Sequence, residues 1–238
     1  MKLDILVISS HPDDAELGCA GTILTEIKKG KQVGIADLTR GELGTRGSAE
    51  IRKEEATAAA KILGVSVRDN LGFEDGFFEN DKHHNLELIK IIRAYQPEIV
   101  ITNAIRDRHS DHGKGAELTY RACFLSGLIK IATQFNGANQ QPWRPKHLYN
   151  FIQDRYINPD FVVDITDQWE KKVQAIKAFR TQFFDPNSKE PQTYISSPDF
   201  LNAIEARALE MGHAIGVKYG EGFTKQSQLG VKSIFDLI

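Results

Sequence analysis

Cysteine is nearly absent: Cys19 and Cys123 are the only two thiols in 238 residues. Two distant cysteines build neither a disulfide framework nor a thiolate zinc site, which fits a reducing cytoplasm. No apolar run is long enough to span a membrane, and the N-terminus lacks a basic stretch followed by an apolar signal core. Net charge is also missing. The 30 Lys and Arg nearly balance the 32 Asp and Glu, for a formal charge of −2, so there is no global field to hold nucleic acid or an anionic membrane. Internal repeats, low-complexity tracts and clear linkers are lacking too, so residues 1–238 read as one compact domain. What is present is ordinary for a folded cytoplasmic protein: 41% hydrophobic residues over a length that buries a substantial core.

The patterning alternates strand and helix. Leu3–Ser9 is a short, almost continuous apolar run, as in a strand buried on both faces. Helical spacing follows over Ala15–Lys29, with Gly30 as a stop. The same rhythm gives strands at Gln32–Leu38, Val65–Leu71 and Glu98–Thr102, and helices at Ala49–Leu63, Asn85–Ala94 and Gly115–Ile131. Ser48 and Gly64 read as the caps of the second helix. Four βα units predict an α/β fold, a doubly wound, mostly parallel sheet flanked by helices, over about residues 1–135. Strand-like His147–Gln153 and Phe161–Ile165, then helical Trp169–Phe183 and Phe200–Ala214, complete it over about 136–238.

Two polar clusters punctuate this pattern. His11-Pro12-Asp13-Asp14 follows the first strand; taken alone, it is equally a loop in which an Asp caps the next helix. Arg108-His109-Ser110-Asp111-His112 follows the fourth strand; taken alone, it is equally a solvated loop. In a sheet of order 3-2-1-4, strands 1 and 4 are neighbours, and ligands bind in the crevice at their carboxyl ends. Topology therefore predicts one site made of both clusters. The best ligand set is His11, Asp14 and His112, three protein ligands that leave an open position for water, as at a catalytic zinc. Iron(II), manganese or cobalt would tolerate the same donors. Asp13 is placed to act as general base. His109 is left to stabilise an oxyanion or protonate a leaving group, with Asp111 orienting its ring. Glu42 and Arg46 lie in a glycine-rich loop (TRGELGTRG) that is neither a P-loop nor GxGxxG, and it reads as a substrate loop. Arg108, beside His109, is a candidate for a bidentate carboxylate contact or a surface ion pair.

HPDD after the first strand with HSDH after the fourth resembles the LmbE-like (PIG-L-type) zinc N-deacetylases, over essentially the whole chain. DLTRGELGTRGSAEIR at 37–52 and IRDRHSDHG at 105–113 most resemble the branch of that family that acts in bacillithiol biosynthesis. The resemblance implies a Rossmann-like fold, one zinc ion per subunit and hydrolysis of N-acetylglucosaminyl-malate to glucosaminyl-malate and acetate. It implies the same roles for His11, Asp14, His112, Asp13 and His109, Arg52 as a substrate contact, and Tyr194 as a hydrogen-bond donor near the reacting carbonyl. It also implies a homo-oligomer, with a hexamer as one form. Two other readings compete: an amidase of bacillithiol S-conjugates, and a non-enzymatic metal- or nucleotide-sensing module.

Overall fold

The computed structural model describes residues 1–236. Four strands alternate with four helices: β1 (Ile5–Ser9), α1 (Asp14–Lys28), β2 (Val33–Thr39), α2 (Ala49–Leu63), β3 (Val67–Phe73), α3 (Lys82–Tyr95), β4 (Ile99–Thr102) and α4 (Ser110–Ser126). A small hairpin, β5 (Gln134–Phe135) and β6 (Ala138–Asn139), precedes β7 (His147–Phe151) and β8 (Phe161–Asp164). Helices α5 (Trp169–Lys177) and α6 (Pro198–Ala214) and strand β9 (Gly220–Lys225) follow. The main sheet has the order β3-β2-β1-β4-β7-β9-β8. Every pairing from β3 to β7 is parallel, and β9 runs antiparallel to both β7 and β8.

The expected 3-2-1-4 order is present, with β1 against β4 in register from Ile5↔Ile99 to Ile8↔Thr102. Strand β1 is buried throughout because successive side chains feed opposite layers. Leu6 and Ile8 pack with Leu88, Ile92 and Leu118 of α3 and α4, whereas Ile5 and Val7 pack with Ile23, Leu63 and Ala175 of α1, α2 and α5. Ser48 caps α2 by accepting from the Ile51 amide, and Gly64 closes it in the left-handed region at φ 79°, as their chemistry requires. Among the described residues no helix is long and apolar enough to cross a membrane.

Three elements differ from expectation. Helix α4 starts at Ser110 and ends at Ser126, so HSDH forms its N-terminus rather than a loop ahead of it. The glycines at 113 and 115 disguise this start. Gly115 is in fact a packing requirement, since a Cβ there would lie 2.5 Å from Ser10 Oγ. Helix α5 stops at Lys177; beyond it, Phe179 and Phe183 turn into a separate cluster with Ile176 and Phe200. Strand β9, sequence GEGFTK, has too few β-branched residues to signal a strand. Its glycines are there for α6: a Cβ on Gly222 would meet Met211 Sδ at 2.7 Å.

Helix α1 is broken at Cys19, whose φ of −148° and ψ of 21° are not helical. A buried ion pair satisfies the break. Glu221 of β9 accepts from the Gly21 and Thr22 amides (2.9 and 2.7 Å), while Lys172 of α5 donates to the Leu17 carbonyl (2.9 Å) and to Glu221 (2.6 Å). Removing one member strands the other charge in the core. Lys172→Met is therefore expected to cost about 3–5 kcal/mol in urea unfolding, and a surface-like loss below about 1 kcal/mol would contradict this account.

Candidate active site

The loops that leave β1, β2, β3, β4 and β7 all empty onto one edge of the sheet. They surround a cavity of about 350 Å³, lined among others by His11, Asp13, Asp14, His109, His112 and Gln153. The β1–α1 turn sets its floor. Asp13 occupies the N-cap position of α1 at φ 121°, an unfavourable conformation for a residue with a Cβ, and its side chain makes no capping bond. The strained turn instead brings the Asp13 carboxylate within 3.6 Å of the Arg52 guanidinium.

Asp14 is the most heavily engaged side chain of the site. One carboxylate oxygen accepts from the His11 amide (3.0 Å) and Asn103 Nδ2 (2.9 Å); the other accepts from Gln153 Nε2 (2.8 Å) and lies 3.2 Å from His112 Nε2. His11 Nδ1 is 3.5 Å from the same carboxylate. The far nitrogen of each imidazole also meets a carboxylate. His11 Nε2 lies 3.0 Å from Asp75 and 3.3 Å from Asp111, and His112 Nδ1 lies 2.6 Å from Asp107. In the neutral form of each ring, a proton on the outer nitrogen leaves the other nitrogen, the one nearer Asp14, with its lone pair. Outer carboxylates orient metal-ligating histidines in this way. The donors thus suit a divalent cation, and His11, His109 and His112 present nitrogens within 4.8 Å of one another.

Electrostatics without a cation show how strongly the cluster is biased. Burial pushes the Asp14 carboxyl up, but His112 and His11 together hold it well below the usual range. For Asp13 burial wins over Arg52 and His11, and its pKa rises to about 7. Burial works against protonated His112, yet Asp14 and Asp107 raise it to about 9; His11 is raised well above its ordinary value by Asp111, Asp14 and Asp75. These protons are what a bound cation would replace.

His109 is the N-cap of α4: its Nδ1 accepts from the Asp111 amide at 3.3 Å, which leaves Nε2 to carry the proton. Burial, and then the charges of His11 and His112, lower its pKa. The expectation that the Asp111 carboxylate orients His109 is corrected here. That carboxylate turns to His11 and to the Gly76 amide (2.9 Å), and the backbone of Asp111 serves His109.

The expected substrate residues divide. Arg46, Arg52, Arg108 and Tyr194 line the cavity, whereas Glu42 stands behind it, accepting from the Asp75 and Arg40 amides. Arg52 is buried and donates to the Pro12 carbonyl at 3.1 Å. Arg46 binds the 183–190 segment through Phe183 O, Ser188 and Glu190. At the mouth Arg108 binds Asp154 (2.7 Å) and stacks over Tyr194 (4.4 Å), whose hydroxyl donates to the same Asp154 (2.9 Å). Asp75, Asn103, Asp107 and Gln153 were not singled out from the sequence. Their one legible signal is position, each following a strand of the parallel sheet.

Residues 6–123 match the PIG-L family, described as GlcNAc-PI de-N-acetylase. A conserved protein of Thermus thermophilus is 34% identical, with a TM-score of 0.86 over 97% of this chain and 98% of that one. The diacetylchitobiose deacetylase of Thermococcus kodakarensis is 29% identical over 92% of this chain and 81% of its own length. A probable N-acetyl-alpha-D-glucosaminyl L-malate deacetylase 2 of Bacillus subtilis is 28% identical over 76% and 84%. Fold and site together define a metal-dependent deacetylase. The chain belongs to the PIG-L (LmbE-like) family.

The contact between Arg52 and Asp13 is open to test. Arg52→Gln is expected to lower kcat about tenfold or more with little change in KM, because Asp13 loses its cationic neighbour. Steady-state kinetics that show a change in KM alone would instead assign Arg52 to substrate.

Proposed function

We propose that this protein removes the acetyl group from a small N-acetylglucosamine conjugate, N-acetylglucosaminyl-malate in particular, within cytoplasmic bacillithiol biosynthesis. The observation that carries the hydrolytic reading is the pair of imidazoles, each backed by a carboxylate and each facing Asp14. Family membership supports the N-acetyl group, and the Bacillus subtilis relative supports malate. Arg108, with its half-exposed side chain at the mouth, is at hand for a substrate carboxylate.

His11, Asp14 and His112 would hold the cation, zinc or iron(II). When bound, such an ion polarises an amide carbonyl and acidifies water. Asn103 and Gln153 fix Asp14, so the donors keep their places as substrate enters. Asp13 takes a proton from the attacking water and returns it to the nitrogen as the C–N bond breaks, giving acetate and the free amine. His109 donates from Nε2 to the carbonyl oxygen as negative charge gathers there. Tyr194 and Arg108, joined through Asp154, bound the side of the cavity by which the sugar conjugate enters.

Acetate release from N-acetylglucosaminyl-malate tests this reading, with metal-free protein and with zinc, iron(II), manganese or cobalt restored. Activity should appear only with metal and exceed that on diacetylchitobiose. Faster cleavage of a bacillithiol S-conjugate would make the protein an amidase. Binding without acetate release would make it a sensing module. Asp13→Ala should retain metal and lose about 10²–10⁴-fold in kcat; an empty variant would make Asp13 a ligand instead. His112→Ala should lose both metal and activity, and stoichiometric metal by elemental analysis would remove it from the donor set.

A further inference from the structure

Asp107 was given no role from the sequence, although it lies within the 105–113 segment, yet its contacts fix the position of the proton on a proposed ligand. One carboxylate oxygen accepts from two backbone amides of the loop after β7, Asp154 N at 3.1 Å and Arg155 N at 2.7 Å. The other faces His112 Nδ1 at 2.6 Å. Neither oxygen is free to change partners. The first is saturated by donors that are part of the main chain, and the second is directed at a ring whose other nitrogen lies 3.2 Å from Asp14. A group at this position can only accept from His112, so the ring carries its proton on Nδ1 and keeps the lone pair of Nε2 for a cation.

We propose that Asp107 is a positioning residue that sets the tautomer of His112 and through it the affinity of the site for a divalent cation. The inference rests on the assignment of His112 as a ligand. It has a consequence that a packing role does not share. In Asp107→Asn the amide oxygen stays with the Asp154 and Arg155 amides, because only an acceptor fits there. The NH₂ group must then face His112 Nδ1 and donate to it. His112 is forced to carry its proton on Nε2, where it blocks the ligand position. Asp107→Ala removes the acceptor but imposes no tautomer. The isosteric variant should therefore be the more damaging one for metal, the reverse of the order that shape and packing would give.

The test is a zinc titration against a chromophoric chelator on the full chain, with thermal unfolding of the metal-free proteins alongside. Asp107→Ala is expected to weaken zinc binding about 10–100-fold. Asp107→Asn should weaken it further, although its metal-free melting temperature equals or exceeds that of the alanine variant. Zinc binding by Asp107→Asn as tight as wild type, or tighter than Asp107→Ala, overturns the proposal. If Asp107→Asn fails to fold, Asp107→Ala decides: an affinity equal to wild type overturns it, and the stated loss supports it. A wild-type protein that binds no divalent metal would overturn the assignment of His112 and this inference with it. Tight wild-type binding with no effect at Asp107 would overturn this inference alone.

Discussion

A single buried carboxylate organises this end of the molecule. Asp14 belongs to the first turn of α1, but the groups that hold it come from three other segments: the main chain at His11, Asn103 after β4, and Gln153 after β7. Asn103 is itself tied to the β1 loop, since its side-chain oxygen accepts from the Ser10 amide at 2.8 Å. A buried anion is tolerable only when its lone pairs are filled. That condition locks the loops at the ends of β1, β4 and β7 into one arrangement, and the same loops carry His11 and Asp154 and lead into the helix that bears His112. The site is therefore rigid for an electrostatic reason before it is rigid for a packing one.

Asp13 and Asp14 show how adjacent residues of one type acquire opposite characters. Both are buried, and burial raises both. Asp14 faces two imidazoles and amide donors that overcome this effect. Asp13 has Arg52 at 3.6 Å as its nearest opposite charge and the Asp14 charge as an adversary. One becomes a fixed anion and the other a group that exchanges a proton near neutrality. Two carboxylates driven apart by their surroundings are what a hydrolase needs when one must bind and the other must shuttle protons. The strained φ of Asp13 belongs to the same arrangement, because the extended backbone of an ordinary N-cap would turn its side chain onto the first-turn amides of α1.

The sequence carried the sheet and the two clusters well, because both depend on local signals. Apolar runs identified β1, β2 and β4; the 3-2-1-4 order then brought HPDD and HSDH to adjacent strand ends. It carried long-range requirements poorly. Gly115 reads as the start of a helix until Ser10 is seen against it, and GEGFTK carries no strand signal until Met211 is seen above Gly222. Asp75 and Asp107 were missed for a similar reason. Asp75 is one of several acidic residues in its loop, with its imidazole, His11, far off in the chain; Asp107 precedes HSDH by two residues, where nothing marks it as the partner of His112. The role expected of Asp111 went astray because HxDH suggests neighbours in sequence, whereas the first turn of α4 separates the carboxylate from His109 and gives it to His11.

The second half of the chain gives the site its depth rather than its reactive groups. β9 and α5 place Glu221 and Lys172 at the break in α1, so the turn that carries Asp14 ends on a lysine from a neighbouring helix. The loop after β7 supplies Gln153 to Asp14, two amides to Asp107 and the Asp154 side chain to Arg108 and Tyr194. Three consecutive residues thus touch Asp14 and Asp107 on one side and the cavity mouth on the other. A rearrangement at the mouth that moved Asp154 would draw on the amide that holds Asp107, and through it on His112. One short loop therefore joins the cavity mouth to Asp14 and, through Asp107, to His112 by covalent adjacency.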